Sequence, residues 1–230
     1  MSEDISSSIK MPLSGWSGYI EEPSEIRLIN KESIQRLITN SNEKFIARGH
    51  GCSFGDQAIL NSGIVLDTNN LKEIKWINDE IISVESGVEL REVLSELLPR
   101  NKTLVGIPGG LQITIGGAIS NNIHGKDHWK NGNFSENILS ITFIDQDGNK
   151  HKVSKQDEVF KYLIGGMGLF GLIISAELKT YDIKSPWIRE DTIRLNSKYD
   201  FEEFFTSIKD SKLDIDYAVA WLDFSNKRHL

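Results

Sequence analysis

Three clusters of glycine, each beside a segment with strand character, constrain this chain more than any other feature. They are "RGHGCSFGD" from Arg48, "GIPGGLQITIGGAISNNIHG" from Gly106 to Gly125, and "GGMGLFG" from Gly165 to Gly171. Glycine lets the main chain adopt positive φ and lets another backbone or a ligand come close. The second cluster carries six glycines and no charged side chain before Lys126, which is unusual for an ordinary surface loop. The third holds Gly166, Gly168 and Gly171 in the spacing G-x-G-x-x-G. In a Rossmann turn that spacing follows a strand and opens a helix, so that a diphosphate rests on the helix N-terminus. Here "KQDEVFKYLI" reads as a helix before it and "LIISAELKTYDI" as a strand after it. The order is reversed, and a Rossmann turn is excluded. A helix C-cap with a tight strand entry explains the spacing without any ligand. Three such clusters can also line one cleft where main-chain N–H groups meet an anion, and a diphosphate is the natural guest.

The main-chain reading matters because the rest of the chain is acidic. Twenty-six basic and 33 acidic residues leave a formal charge of −7, with no basic stripe interleaved with aromatics, so nucleic acid is not an expected partner. The 230 residues allow one large domain or two small ones, and 39% hydrophobic with 26% charged residues is the composition of a globular protein. Cys52 is the sole cysteine, so no internal disulfide forms and a reducing cytoplasm is expected. No stretch has the apolar length of a spanning helix, and the start, "MSEDISSSIK", lacks the apolar run of a signal peptide.

Periodicity supplies the frame. "KESIQRLITN" and "ELREVLSELLPR" read as amphipathic helices, the second ended by Pro99. "KFIAR" and "IVLDT" read as strands around a Gly, Ser and Asn-rich loop. "EIKWI" with "IISVESG", and "ITFI" with "KHKVS" across "DQDGN", read as hairpins. The style changes near Ser185 and Pro186, where a domain boundary is placed; beyond it a strand after Trp187, a helix "YDFEEFFTSIKD" and a strand "DYAVAWLDF" are expected.

The blocks "LSGWSGY", "ARGHGCSFGD", "GIVLDTNNLKEI", "VESGVELREVL", "GIPGGLQITIGGAISNNIHGKDHW", "GGMGLFGLII" and "AWLDF", in this order, resemble the PCMH-type FAD-binding domain of the vanillyl-alcohol-oxidase-type flavoproteins. Within that superfamily the chain is most similar to the decaprenylphosphoryl-ribose 2'-oxidase branch and its aldonolactone and alditol oxidase relatives. The resemblance implies an α+β fold: a flexible leader at 1–12, then an FAD-binding domain at 13–183 of two α+β subdomains, about 13–75 and 76–183. Residues 184–230 would begin an antiparallel-sheet substrate domain that is incomplete here.

The resemblance also implies the cofactor contacts. Ala47, Arg48, Gly49, His50, Gly51, Ser53 and Phe54 would lie on one side of the diphosphate of FAD. Gly109, Gly110, Gln112, Thr114, Gly116, Gly117 and Ala118 would lie on the other. Asn121, Ile123, His124 and Gly125 would run along the isoalloxazine, and Gly171 and Ile173 would sit near the adenine. Several members of the superfamily bond a histidine to the flavin 8α-methyl group; Cys52 occupies that position, and a noncovalent flavin is the implied reading, with a Cys52 thioether the alternative.

Oxidation of a CH–OH group on such a flavin needs hydride transfer to flavin N5 and a base for the hydroxyl proton. The cofactor performs the difficult step and the protein positions the reactants. In "NNIHGKDHW", His124 is the first candidate to touch substrate or flavin, because an imidazole can donate or accept a hydrogen bond, against a hydrogen bond that fixes the loop. Lys126 could hold a substrate phosphate or the anionic flavin, against simple solvation. The cluster has no second set of His or Cys, so a metal site is not expected. The substrate would be a small carbohydrate: a polyol, an aldonolactone or a lipid-linked pentose. The catalytic base would lie in the absent part of the second domain. Three readings stand: a piece of an FAD-dependent sugar oxidoreductase, the flavin-binding subunit of a split enzyme whose partner chain supplies the rest, and a noncatalytic flavin-binding module.

Overall fold

A computed structural model describes residues 8–31, 34–39, 43–195, 198–210 and 215–221. Two sheets stand in sequence. The first is built from β1 (Ser8–Ser14), β2 (Glu21–Leu28), β3 (Phe45–Arg48) and β4 (Ile64–Asp67) in the order β1-β2-β4-β3, with α1 (Ile34–Thr39) between β2 and β3. β4 pairs in parallel with both β2 and β3. A central parallel strand is covered on both faces and reads as a continuous apolar run. That is the pattern of "IVL": Ile64 and Leu66 face the core with Ile34, Leu37 and Ile38 of α1, and Val65 packs with Leu13, Ile46 and Ile59 on the other face.

β5 (Ile74–Asn78) and β6 (Ile81–Glu85) open the second unit. They are followed by α2 (Leu90–Leu97), a 3₁₀ turn at Leu98–Arg100, β7 (Lys102–Thr103), α3 (Ile115–Ser120), α4 (His128–Asn131), and a 3₁₀ turn at Phe134–Asn137. Next come β8 (Ile138–Ile144), β9 (Lys150–Ser154), α5 (Phe160–Leu163), β10 (Leu172–Lys179) and β11 (Tyr181–Asp182). The larger sheet is antiparallel, in the order β5-β6-β10-β8-β9, and β11 pairs with β7. α2 buries Leu90, Val93 and Leu97 at helical spacing, and the Glu92 carboxylate accepts the Glu89 N–H at 2.8 Å to close its first turn. The β8–β9 turn is fastened by Asp145, whose Oδ1 accepts from Asp147 N and Asn149 N, with Gly148 at φ 82°. β10 joins the units: Ile173, Ala176 and Leu178 belong to the core of the second, while Leu172 and Ile174 extend that of the first.

The α+β architecture with two subdomains is the one expected, with differences in detail. Residues Ser8 to Pro12, expected in a flexible leader, pair with β2 from Ser8↔Arg27 onward, because alternation in "SIKMPLS" suffices for a hairpin once β2 is present. Ile74 and Lys75 belong to the second sheet, so the subdomain border falls between Asp67 and Ile74. The helix expected over "KQDEVFKYLI" shrinks to Phe160–Leu163, since the Asp157 carboxylate binds Ser154 N and forms a turn instead. Helix α3, whose "IGGAIS" carries two glycines, was not anticipated. The helix after the boundary is present as α6 (Lys198–Asp210). Among the described residues no strand follows Trp187, and 216–221 is irregular; Phe224 and the rest of "DYAVAWLDF" lie outside the described residues.

Candidate functional site

The three glycine clusters meet. A Cβ on Gly49 would lie 2.3 Å from Thr114 Oγ1, so the first and second loops touch where only hydrogen fits. Cys52 Sγ stands 3.9 Å from Gln112 O along the same seam. The third cluster reaches the end of α3: Gly165 N donates to Ile119 O at 3.0 Å and Met167 N to Ser120 O at 2.8 Å. Gly165, Met167, Gly168 and Gly171 all have positive φ, between α5 and β10. "GGMGLFG" is thus a helix exit and strand entry as read, packed on α3.

The seam is rich in unengaged donors. The first turn of α3 has none to offer, since Ile115 N donates to Val88 O, Gly116 N to Ser86 O and Gly117 N to Thr114 Oγ1. Gly49 to Phe54 are different: among the described residues no protein acceptor takes their N–H groups, and the same holds for Gly109 to Gln112. Gly49, Gly51, Cys52, Ser53, Gly110 and Leu111 are half-buried, and His50, Phe54, Gly109 and Gln112 are exposed. A half-buried N–H without a partner is costly, and amides in series make an anion-binding concavity. A Cβ on Gly109 would meet no atom within 4 Å, which marks open space rather than packed protein. Two stretches of main chain without protein acceptors border the seam, and such donors are the chemistry a diphosphate takes.

Other expected residues do something else. The Arg48 guanidinium donates to Ser14 O at 2.9 Å and Ala58 O at 3.1 Å, bracing the loop instead of facing the seam; burial lowers its pKa, with Asp67 opposing. Gly51 at φ 66° leaves room for that guanidinium. Ala47 is half-buried in β3 against the first core. Ser53 O accepts from Trp16 N at 2.7 Å, and the exposed Phe54 ring stands edge-on to Trp16 at 5.1 Å. Thr114 is buried as the N-cap of α3, and Ala118 is buried in the second core. Asn121 Nδ2 donates to Gly117 O at 2.9 Å. Ile123 packs on the second core, and Gly125 is required because a Cβ there would lie 2.3 Å from Ile107 O. The Ile173 side chain is enclosed in the second core, and Gly171 abuts Phe143 instead of the seam.

His124 and Lys126 are exposed at the far end of the second loop. His124 lies 5.3 Å from the His128 ring, centroid to centroid, and Lys126 O accepts from Ala218 N at 3.0 Å. Residues beyond the boundary therefore rest on this loop: Asp216 pairs with Lys130 at 3.1 Å, and burial, then Asp127 and Asp216, raise the Tyr217 pKa. Sequence reasoning missed Asp127. It is 2% exposed, and its Oδ2 accepts from Gly106 N at 3.0 Å and Asn131 Nδ2 at 3.2 Å, tying the two ends of the loop together. Its setting in a polar run gave no warning of burial. Glu89 and Gly87 were missed too. Glu89 is treated below, and Gly87 is explained by Thr68 O, 2.0 Å from where its Cβ would be. Among the described residues no group of three or more His, Cys, Asp or Glu side chains is placed to hold a metal ion.

Comparison with known proteins identifies the family. A family model described as an FAD binding domain matches residues 31–154, more than half of the chain. Decaprenylphosphoryl-beta-D-ribose oxidase of Mycolicibacterium smegmatis is 29% identical over 205 residues, 85% of this chain and 44% of that protein. Cytokinin dehydrogenase 2 of Arabidopsis thaliana is 29% identical over 135 residues, 57% of this chain and 27% of that one. UDP-N-acetylenolpyruvoylglucosamine reductase of Chlamydia muridarum is 31% identical over 121 residues, 51% of this chain and 37% of that one. The chain spans less than half the length of these relatives. With the family model covering both loops of the seam, the chain belongs to the PCMH-type FAD-binding domain family, and its cofactor is FAD.

Proposed function

We propose that this chain is the FAD-binding part of an oxidoreductase that oxidises a CH–OH group of a sugar, polyol, aldonolactone or lipid-linked pentose. The observation that carries the reading is two neighbouring loops, Gly49 to Phe54 and Gly109 to Gln112, whose N–H groups take no protein acceptor among the described residues and which approach each other where Gly49 meets Thr114. They would hold the diphosphate. Bound FAD supplies the two-electron acceptor. On the protein side, His124 would donate to or accept from substrate or flavin at a ring nitrogen, and Lys126 would offer its ammonium to a substrate phosphate or to negative charge on the ring. The similarity to a protein named for a lipid-linked ribose favours a carbohydrate over other donors. Burial and the charge of Glu89 raise the Cys52 thiol pKa, which makes it a poor nucleophile and supports a noncovalent flavin.

A specific feature supports the reading with further polypeptide: Trp187, Ile188, Val219 and Trp221 are each at least 75% exposed, the last two just after Ala218, whose N–H bonds Lys126 O. We propose that a continuation of the substrate domain, in this chain or in a partner, covers them. Among the described residues no helix is long and apolar enough to cross a membrane, and the single cysteine supports a cytoplasmic setting.

The test is to add FAD to purified protein and record the flavin spectrum and melting temperature. Retained yellow flavin is expected after desalting. At a hundredfold excess over Kd, stabilisation of about 2.7 kcal/mol should raise Tm by about 5–10 °C. Colourless protein with an unmoved Tm refutes the flavin reading. Reduction of an artificial electron acceptor with alditols, aldonolactones or pentose phospholipids then ranks the donors.

A further inference from the structure

Glu89 is the residue that touches both loops of the cleft. Its main chain forms an antiparallel bridge with Thr114, flanked by Leu90 N→Ile113 O at 2.9 Å, Arg91 N→Leu111 O at 3.0 Å and Ile115 N→Val88 O at 2.8 Å. These bonds fix the second loop. Its carboxylate, only 12% exposed, reaches the first loop, with Oε1 at 3.6 Å from His50 Nδ1. Lys72 Nζ lies 3.8 Å from the same oxygen, and Arg91 Nε holds Oε2. Held between the Lys72 and Arg91 cations, the carboxylate keeps Oε1 toward His50, and the two form an ion pair when the imidazole is protonated.

We propose that Glu89 is a positioning residue for FAD: by holding His50 against the main chain of the second loop, it sets the gap across which the two amide runs grip the diphosphate. The proposal rests on the reading of the cleft as the FAD site. The position next to α2 offers a competing explanation, a helix-capping residue. Glu89 and Glu92 form a capping box, so capping involves the Glu89 carboxylate as well as its main chain, and the contact with His50 is the part that capping does not require.

The sole cysteine provides a readout of the gap that needs no cofactor, because Cys52 Sγ lies on the seam, 3.9 Å from Gln112 O and 4.0 Å from His50 O. The experiment compares wild type, Glu89→Gln, Glu89→Asp, His50→Gln and the Glu89→Gln/His50→Gln double variant. It measures FAD Kd by flavin fluorescence, and the rate of Cys52 alkylation by iodoacetamide against pH without FAD. Since Glu89 itself raises the Cys52 pKa, the rate used is the limiting one above that pKa, which reports access and not thiolate fraction. Glu89→Asp keeps the charge beside Lys72 and Arg91 but loses the reach, and guards against a variant that merely unfolds.

Both Glu89 variants should weaken FAD binding by about tenfold and raise the limiting alkylation rate about threefold or more, and the double variant should be no weaker than either single one. FAD affinities and limiting rates within about twofold of wild type, or effects that add in the double variant, overturn the proposal. A lowered melting temperature with unchanged alkylation identifies a helix cap and overturns it too. Wild-type protein that binds no FAD overturns the flavin reading instead, and the alkylation rates then decide by themselves whether Glu89 holds the loops.

Discussion

Gly109 of the second glycine cluster and Gly166 of the third are the same residue type in opposite surroundings. In "GGMGLFG", Gly166 and Gly171 make way for protein: a Cβ on Gly166 would fall 1.9 Å from Tyr162 O, and one on Gly171 2.5 Å from Phe143 Cδ2. In "GIPGG", Gly109 makes way for nothing in the chain. An exposed glycine with no protein atom beside it leaves room for a ligand; a glycine pressed against a carbonyl leaves none. Substitution at the two positions tests whether that difference in space is a difference in role.

The largest effect is expected at Gly166. Alanine there must displace the Tyr162 carbonyl, so Gly166→Ala should cost about 3 kcal/mol and lower Tm by about 6–12 °C with or without FAD. An unchanged melting curve would erase the contrast. Gly109→Ala should leave the Tm of the apoprotein within about a degree and weaken FAD binding about fivefold, near 1 kcal/mol, because the new methyl occupies ligand space. Equal affinity for FAD would remove Gly109 from the site.

The smallest effect separates both glycine roles from general electrostatics. Glu73 is held at a pKa of about 2, chiefly by hydrogen bonds from Lys31 and Lys75, and Lys31 after β2 joins it and Glu85 across the subdomain border. Its folded pKa lies below the ordinary 4.5, so its stabilisation is present above that pH and is lost as pH falls towards 2. Glu73→Gln should flatten this acid limb in urea melts between the two values and leave FAD affinity at neutral pH unchanged. A retained acid limb would assign it to other carboxylates.

The frame was legible because it follows period: the β5–β6 and β8–β9 hairpins, α2 and the run "IVL" are patterns that local physics fixes. The convergence of the glycine clusters was legible only as a possibility, since contact between Gly49 and Thr114 depends on how the two sheets dock through β10. What stayed hidden was side-chain direction. Arg48 in a glycine loop suggests a phosphate ligand, yet its guanidinium finds carbonyls closer by; Asp127 in a polar run looks solvated, yet it closes the loop from Gly106. Ile173 shows the converse, a residue whose place on the central strand leaves its side chain no route to a ligand. Helix α3 was obscured by its glycines, which lower helix propensity and are outweighed here by burial of Ile115, Ala118 and Ile119.

The turn between β1 and β2 carries a practical consequence. Ser14 O receives Arg48, and Trp16 N donates to the main chain of Ser53, so the start of the chain is a buttress for the first glycine loop. Anyone preparing this protein would be tempted to trim the polar leader to improve expression or crystallisation. A cut made past Ser14 would shed the buttress and yield material that folds in its second half but grips its flavin poorly, so purification tags belong ahead of Ser8 or at the other terminus.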